Sequence, residues 1–131
     1  MKIHLKESLS LENFDNLTFP QLTEIAGYLM VYKVSGLKSV SHFFPNLVTI
    51  RGGELFRTYS LIINGNPDLE DIGLSHFKTI TSGAVRIEKN SMLCYVNTVD
   101  WSTILNNETY GNSLFNVSFK VKKQKTFQQQ L

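Results

Sequence analysis

SGAVRIEKNSMLCYVNTVDW, residues 82–101, is the stretch on which the fold turns. Val85 and Ile87 alternate with Arg86 and Glu88, the period-two pattern of a strand with one buried face. Leu93 follows Ile87 by six residues, Val96 follows Leu93 by three, and Asn90 lies between them in a run that turns. The same gap-free unit occurs three more times: Leu61/Ile63 with Leu69 and Ile72, Leu29/Val31 with Leu37 and Val40, and Ile3/Leu5 with Leu11 and Phe14. The copies start at Ile3, Leu29, Leu61 and Val85, in steps of 26, 32 and 24 residues, and the longest step carries an insertion at 52–59.

A second motif lies between the copies. Phe19-Pro20-x-Leu22-x-x-Ile25 and Phe44-Pro45-x-Leu47-x-x-Ile50 match 25 residues apart, with Phe77-x-x-Ile80 and Trp101-x-x-Ile104 as degenerate forms. Repeats of this length stack, each covering the apolar face of the next. The expected fold is mainly β: about four layers, each with one short parallel strand, a short helical corner and a second extended side. Residues 100–105 read as a short capping helix. Beyond them, 106–116 reads as a loop, 118–121 as a strand and 122–130 as disordered.

Stacking the four strands in register also stacks their outward residues. One column reads His4, Met30, Ile62, Arg86 and the next Lys6, Tyr32, Asn64, Glu88. The face has an apolar centre with charge at both ends, and Leu55, Phe56 and Tyr59 of the insertion lie where they extend it. An apolar, aromatic centre with a charged rim suits a protein partner. A small molecule wants a pocket instead.

Composition narrows the classes further. The chain has 131 residues, enough for one domain, and a net charge of +2. It has no basic stripe for nucleic acid, no run long enough to span a membrane and no signal-peptide h-region. Cys94 is the single cysteine. His4, His42 and His76 lack ligand spacing, and Asp68, Glu70 and Asp71 form an ordinary solvated turn. No phosphate-loop, dinucleotide or zinc motif occurs. An enzyme, a metal site and a cofactor are therefore not expected. Glycosylation sequons fall at Asn16, Asn107 and Asn116.

Gly83-Ala-Val-Arg-Ile-Glu-Lys-Asn90, Leu93-Cys94-Tyr95 and Val99-Asp100-Trp101 resemble the end of a receptor L domain. The resemblance is to the first L domain of the insulin receptor and insulin-like growth factor receptor. Phe44-Pro-Asn-Leu-Val-Thr-Ile-Arg-Gly52 and Tyr28-Leu-Met-Val-Tyr-Lys-Val-Ser-Gly-Leu37 carry the same resemblance. The epidermal growth factor receptor branch shares the glycines, Cys94 and Trp101 but fits RIEKN less well.

The resemblance covers residues 1–105 and leaves 106–131 as a divergent segment. It implies a right-handed, leucine-rich-repeat-like β-solenoid on the extracellular side of a receptor tyrosine kinase, with the kinase outside this chain. It implies an insulin-like peptide on the outward sheet face at Tyr32, Leu55, Phe56, Tyr59, Ile62, Arg86, Glu88 and Lys89. Other receptor domains, in a receptor dimer, are the further implied partners. The alternative is a secreted, kinase-less L-domain protein acting as a decoy or adhesion module. The family has apolar residues at His4 and Glu7, aromatic residues at Arg57 and Asn64, and an acid at Gly65. It also has an N-terminal capping segment and a partner cysteine for Cys94, so the chain reads as a fragment, an isoform or an incomplete gene product.

Overall fold

The structure is a computed structural model that describes residues 3–5, 18–94, 101–105 and 117–120. The described residues are mainly β, with eight short strands in two open sheets. β1 (Ile3–Leu5), β3 (Leu29–Tyr32), β5 (Tyr59–Asn64), β7 (Ala84–Glu88) and β8 (Val117–Lys120) form the first sheet in that order. β2 (Glu24–Ile25), β4 (Thr49–Ile50) and β6 (Thr79–Ile80) form the second. All the pairings are parallel. Parallel neighbours need a crossover, and between β1 and β7 each crossover passes through the second sheet.

The register follows the sequence spacing. Ile3, Leu29, Leu61 and Val85 pair across the first sheet, as do Leu5, Val31, Ile63 and Ile87. Ile25, Ile50 and Ile80 pair across the second. Leu29, Leu61, Val85, Val31, Ile63 and Ile87 have no exposure, and neither do the three isoleucines opposite, so the inner faces of both sheets share one core. Phe43, Phe44 and Leu47 fill the corner between them. Burying side chains of this size contributes about 1.5–3 kcal/mol each before the entropy of ordering is subtracted.

Layer-to-layer bonding continues outside the sheets. The Lys38 carbonyl accepts from the Glu70 and Asp71 amides at 2.8 and 3.2 Å, and the Glu70 carbonyl accepts from the Cys94 amide at 2.9 Å. The Leu37, Leu69 and Leu93 side chains beside these groups are buried. Ser39 caps the 3₁₀ turn Val40–His42, its hydroxyl accepting from the Ser41 amide.

The corner after the first sheet is held by side-chain amides. Asn66 and Asn90 sit three residues beyond Ile63 and Ile87 and are fully buried. Asn66 Oδ1 accepts from the Val34 amide at 2.9 Å, and its Nδ2 donates to the Val31 carbonyl and to Asn90 Oδ1. Asn90 Oδ1 also accepts from the Asn66 amide, and its Nδ2 donates to the Ile63 carbonyl at 2.9 Å. The two side chains thus supply partners to backbone groups that the turn takes out of the sheet ladder. At the corner after the second sheet, Gly52 has φ +66°, and a Cβ there would lie 2.1 Å from the Ser82 carbonyl oxygen. Only glycine allows that approach.

Three expectations change. In place of Trp101-x-x-Ile104, Leu105 pairs with Ile80, because Trp101–Ile104 forms a helix, α1, that shifts the pairing by one residue. The last strand is Val117–Lys120 rather than 118–121. Of the motif Phe19–Ile25, read as part of the second extended side, only Glu24–Ile25 is strand, since Pro20 and Gln21 turn. Leu11, Phe14, Val96, Lys6, the sequons Asn16, Asn107 and Asn116, and segments 106–116 and 121–131 lie outside the described residues.

Candidate functional site: the outward face of the first sheet

Pairing sets the face. Met30, Ile62 and Arg86 occupy one outward column, with His4 beside Met30 in backbone register, and Tyr32, Asn64 and Glu88 occupy the next. β8 adds Ser118 beside Arg86 and Lys120 beside Glu88 in backbone register. Tyr28, Met30 and Ile62 form a second apolar cluster, separate from the core, with half-buried Tyr32 and Tyr59 packed on it. Strict alternation points Tyr59 inward with Leu61. A register irregularity between the two re-aims it.

The apolar centre is not open. Met30 and Ile62 are only 6% and 4% exposed, because the tyrosines pack over them. What meets solvent is a ring of aromatic and cationic groups. Lys33 Nζ lies 5.1 Å from the Tyr32 ring centre, the Arg86 guanidinium 5.7 Å from Tyr59, and the Arg57 guanidinium 6.0 Å from Phe56. These are cation–π distances.

The hairpin Phe56–Tyr59 is closed by two 2.9 Å bonds between those two backbones. It brings the exposed Phe56 ring to 5.9 Å from Tyr28. Leu55 turns the other way: a Cβ at Gly83 would lie 2.6 Å from its Cδ2. Leu55 therefore packs on the Gly52 and Gly83 backbones rather than beside Tyr32. Lys89 is exposed at the corner after β7, in a left-handed conformation that it shares with Lys33 and Gly65 at the equivalent corners.

Arg86 Nη2 donates to Glu88 Oε2 at 3.1 Å. That bond first, then the charge of Glu88 and the proximity of Tyr59, raise the Arg86 pKa against the opposing effect of burial, so Arg86 stays cationic. Arg86 Nε and Asn64 Oδ1 are buried without a hydrogen-bond partner. Among the described residues, no cluster of three histidines, cysteines or acids is arranged to hold a metal. No described helix is long and apolar enough to cross a membrane.

The fold thus brings together Tyr32, Tyr59, Ile62, Arg86 and Glu88. Phe56 joins through Tyr28, Lys89 lies at the rim, and Leu55 lies beneath. Sequence reasoning missed Tyr28 and Lys33. Tyr28 was legible as the residue two before Met30 in the same alternation.

A family model described as receptor L domain matches residues 1–105. The chain belongs to the receptor L domain family. This L domain is 53% identical over 116 residues to an insulin-like growth factor 1 receptor of Xenopus laevis, covering 86% of the chain and 8% of that protein. It is 53% identical over 95 residues to an insulin-like receptor of Drosophila melanogaster, covering 72% and 4%. To an insulin receptor of Xenopus laevis it is 51% identical over 94 residues, covering 72% and 7%. The L domain therefore spans less than a tenth of the length of these relatives.

Proposed function

We propose that this L domain is an extracellular hormone-binding module of an insulin-receptor-like tyrosine kinase. It docks an insulin-like peptide on the outward face of its first sheet. The finer architecture belongs to the same proposal: a right-handed parallel coil of about four turns, with the two sheets as two of its sides. The kinase, the membrane anchor and the partner domains of a receptor dimer belong to the longer protein, and this chain itself is non-catalytic.

The observation that carries the proposal is the second apolar cluster. A sheet face with water on it has no structural need for Tyr28, Met30, Tyr32, Tyr59 and Ile62 together. Ringed by Lys33, Arg57, Arg86 and Lys89, it has the aromatic-and-arginine make-up of a protein interface. The face is broad rather than concave, which favours a folded peptide over a small molecule. Relatives at about half identity are named as receptors for insulin and insulin-like growth factor 1, which supports the same ligand class.

The test is a calorimetric titration of the 131-residue chain with insulin and with insulin-like growth factor 1. Binding at tens of micromolar or tighter is expected, weakened at least tenfold by Tyr32→Ala. No binding in that range, or binding indifferent to Tyr32→Ala, refutes it.

A further inference from the structure

Charge is unevenly placed along this chain. All 11 acidic residues lie at or before Glu108, whereas four of the 13 basic residues are Lys120, Lys122, Lys123 and Lys125. The net charge of +2 therefore divides into a negative body and a positive C-terminal end. Such an asymmetry marks a basic tail with an anionic partner. Six residues span at most ~20 Å, so the four charges stay within a short reach of one another and repel unless an anion meets them. β8 fixes where the cluster begins. Val117–Lys120 pairs with β7 as the last strand of the first sheet, with Phe119 beside the buried Ile87 and Lys120 beside Glu88 in backbone register. Lys120 has an acid next to it in register, so Lys122, Lys123 and Lys125 are the charges that count toward a partner. These three lie beyond the described residues and enter by their place in the chain, two to five residues past the end of β8.

We infer that Lys122, Lys123 and Lys125 form an attachment site for a sulfated polysaccharide of the cell surface or extracellular matrix, separate from the outward sheet face. The choice of partner rests on the extracellular reading given above. Short lysine-rich runs are polyanion sites of a general kind, and composition selects among the polyanions. Between 120 and 125 there is no aromatic residue on which bases could stack and no arginine to grip a phosphate with two bonds. Val121 is the one apolar residue there, too little for a face that enters a bilayer, and the negative leaflet of a plasma membrane is the cytoplasmic one. A sulfated chain asks for neither feature. It presents closely spaced negative groups, which ammonium groups meet singly as point charges, and binding releases the counterions held along it. Held this way, the domain is retained beside the cell surface while its sheet face stays open.

The test is a titration of the 131-residue chain with heparan sulfate, fully desulfated heparan sulfate, single-stranded RNA and phosphatidylserine vesicles, at about 0.05 M salt, where screening is weak. Heparan sulfate binds and the desulfated polymer does not, and log affinity falls against log salt with a slope of about −2, at about 0.7 per lysine. Lys122→Gln, Lys123→Gln and Lys125→Gln together weaken binding about a hundredfold, at about fivefold per lysine. The same three positions changed to arginine keep the charge and stay within about threefold of the parent. Lys123→Gln alone, about fivefold weaker, replaces the triple glutamine variant if that variant does not fold. A glutamine variant that binds as the parent does places the charge elsewhere and overturns the site. RNA or vesicles bound more tightly than heparan sulfate, or the desulfated polymer bound as tightly, overturns the partner assigned. Insulin titration of the glutamine variant matches the parent, and a joint loss of both ligands overturns the separation from the sheet face. A parent chain that binds heparan sulfate but no insulin refutes the hormone reading and leaves this site standing.

Discussion

Replacing Asn66 by alanine removes three side-chain hydrogen bonds at once: from the Val34 amide, to the Val31 carbonyl and to Asn90 Oδ1. The losses are unequal. Asn90 Oδ1 keeps the Asn66 backbone amide as a donor. The Val34 amide, in a residue with no solvent exposure, keeps nothing. A buried donor left unpaired costs about 1–3 kcal/mol, and the Val31 carbonyl adds a similar but smaller amount. The expected loss is about 3 kcal/mol, a large share of the 5–15 kcal/mol typical of a domain. Urea unfolding followed by far-ultraviolet circular dichroism should show a lower midpoint with an unchanged slope. Asn66→Asp sharpens the test. It keeps an acceptor for Val34 but sets oxygen against the Val31 carbonyl and Asn90 Oδ1, so it should lose at least as much as alanine. A loss below about 0.5 kcal/mol for alanine, or an aspartate variant as stable as the parent, would show that the corner does not depend on these amides.

Gly52→Ala drives a Cβ to 2.1 Å from the Ser82 carbonyl at a left-handed φ. It should cost at least about 2 kcal/mol, and an unchanged melting temperature contradicts the close approach. Leu61→Ala, at a fully buried position of β5, should cost about 2–5 kcal/mol in the same assay, against within about 0.5 kcal/mol for Met92→Ala at an exposed position. Arg51→Ala breaks the exposed ion pair with Glu24 and should cost less than about 1 kcal/mol, vanishing in molar salt; a larger, salt-independent loss means the pair is not solvent-screened.

Inward positions were legible because burial forces them. Val31, Ile63 and Ile87 must be apolar in each copy, and their common distance to Leu37, Leu69 and Leu93 gave the register directly. The asparagine corner was not legible as a column. Its first position is Val34, which needs only to donate, so no repeated residue marks it. The shift from Ile104 to Leu105 was hidden because an α-helical turn and an extended segment both tolerate Trp-x-x-Ile-Leu. On the outward face, alternation placed Met30 and Ile62 but said nothing of what lies over them. Covering by Tyr28 and Tyr59 depends on side-chain length and on an irregularity in β5 that no period reveals. The positions of Tyr32, Arg86 and Glu88 followed from stacking alone, whereas the unpaired state of Asn64 needed coordinates.

The corner amides also decide where this chain can grow. Asn66 and Asn90 each reach back to the strand of the neighbouring layer, so the three-residue distance from Ile63 or Ile87 is fixed by bond geometry. An extra residue there uncouples two layers at once. The segment 52–59 is tied to its neighbours near its two ends, by the Gly52 and Gly53 amides donating to the Gly27 and Ala26 carbonyls and by the Ala84 amide donating to the Thr58 carbonyl, and between these ties the chain folds its long interval into the Phe56–Tyr59 hairpin. Insertions and deletions in descendants of this gene should therefore collect in that hairpin and spare the segment between strand and asparagine. Because the hairpin borders the aromatic face, changes of length there would retune the proposed docking surface without disturbing the layers beneath it.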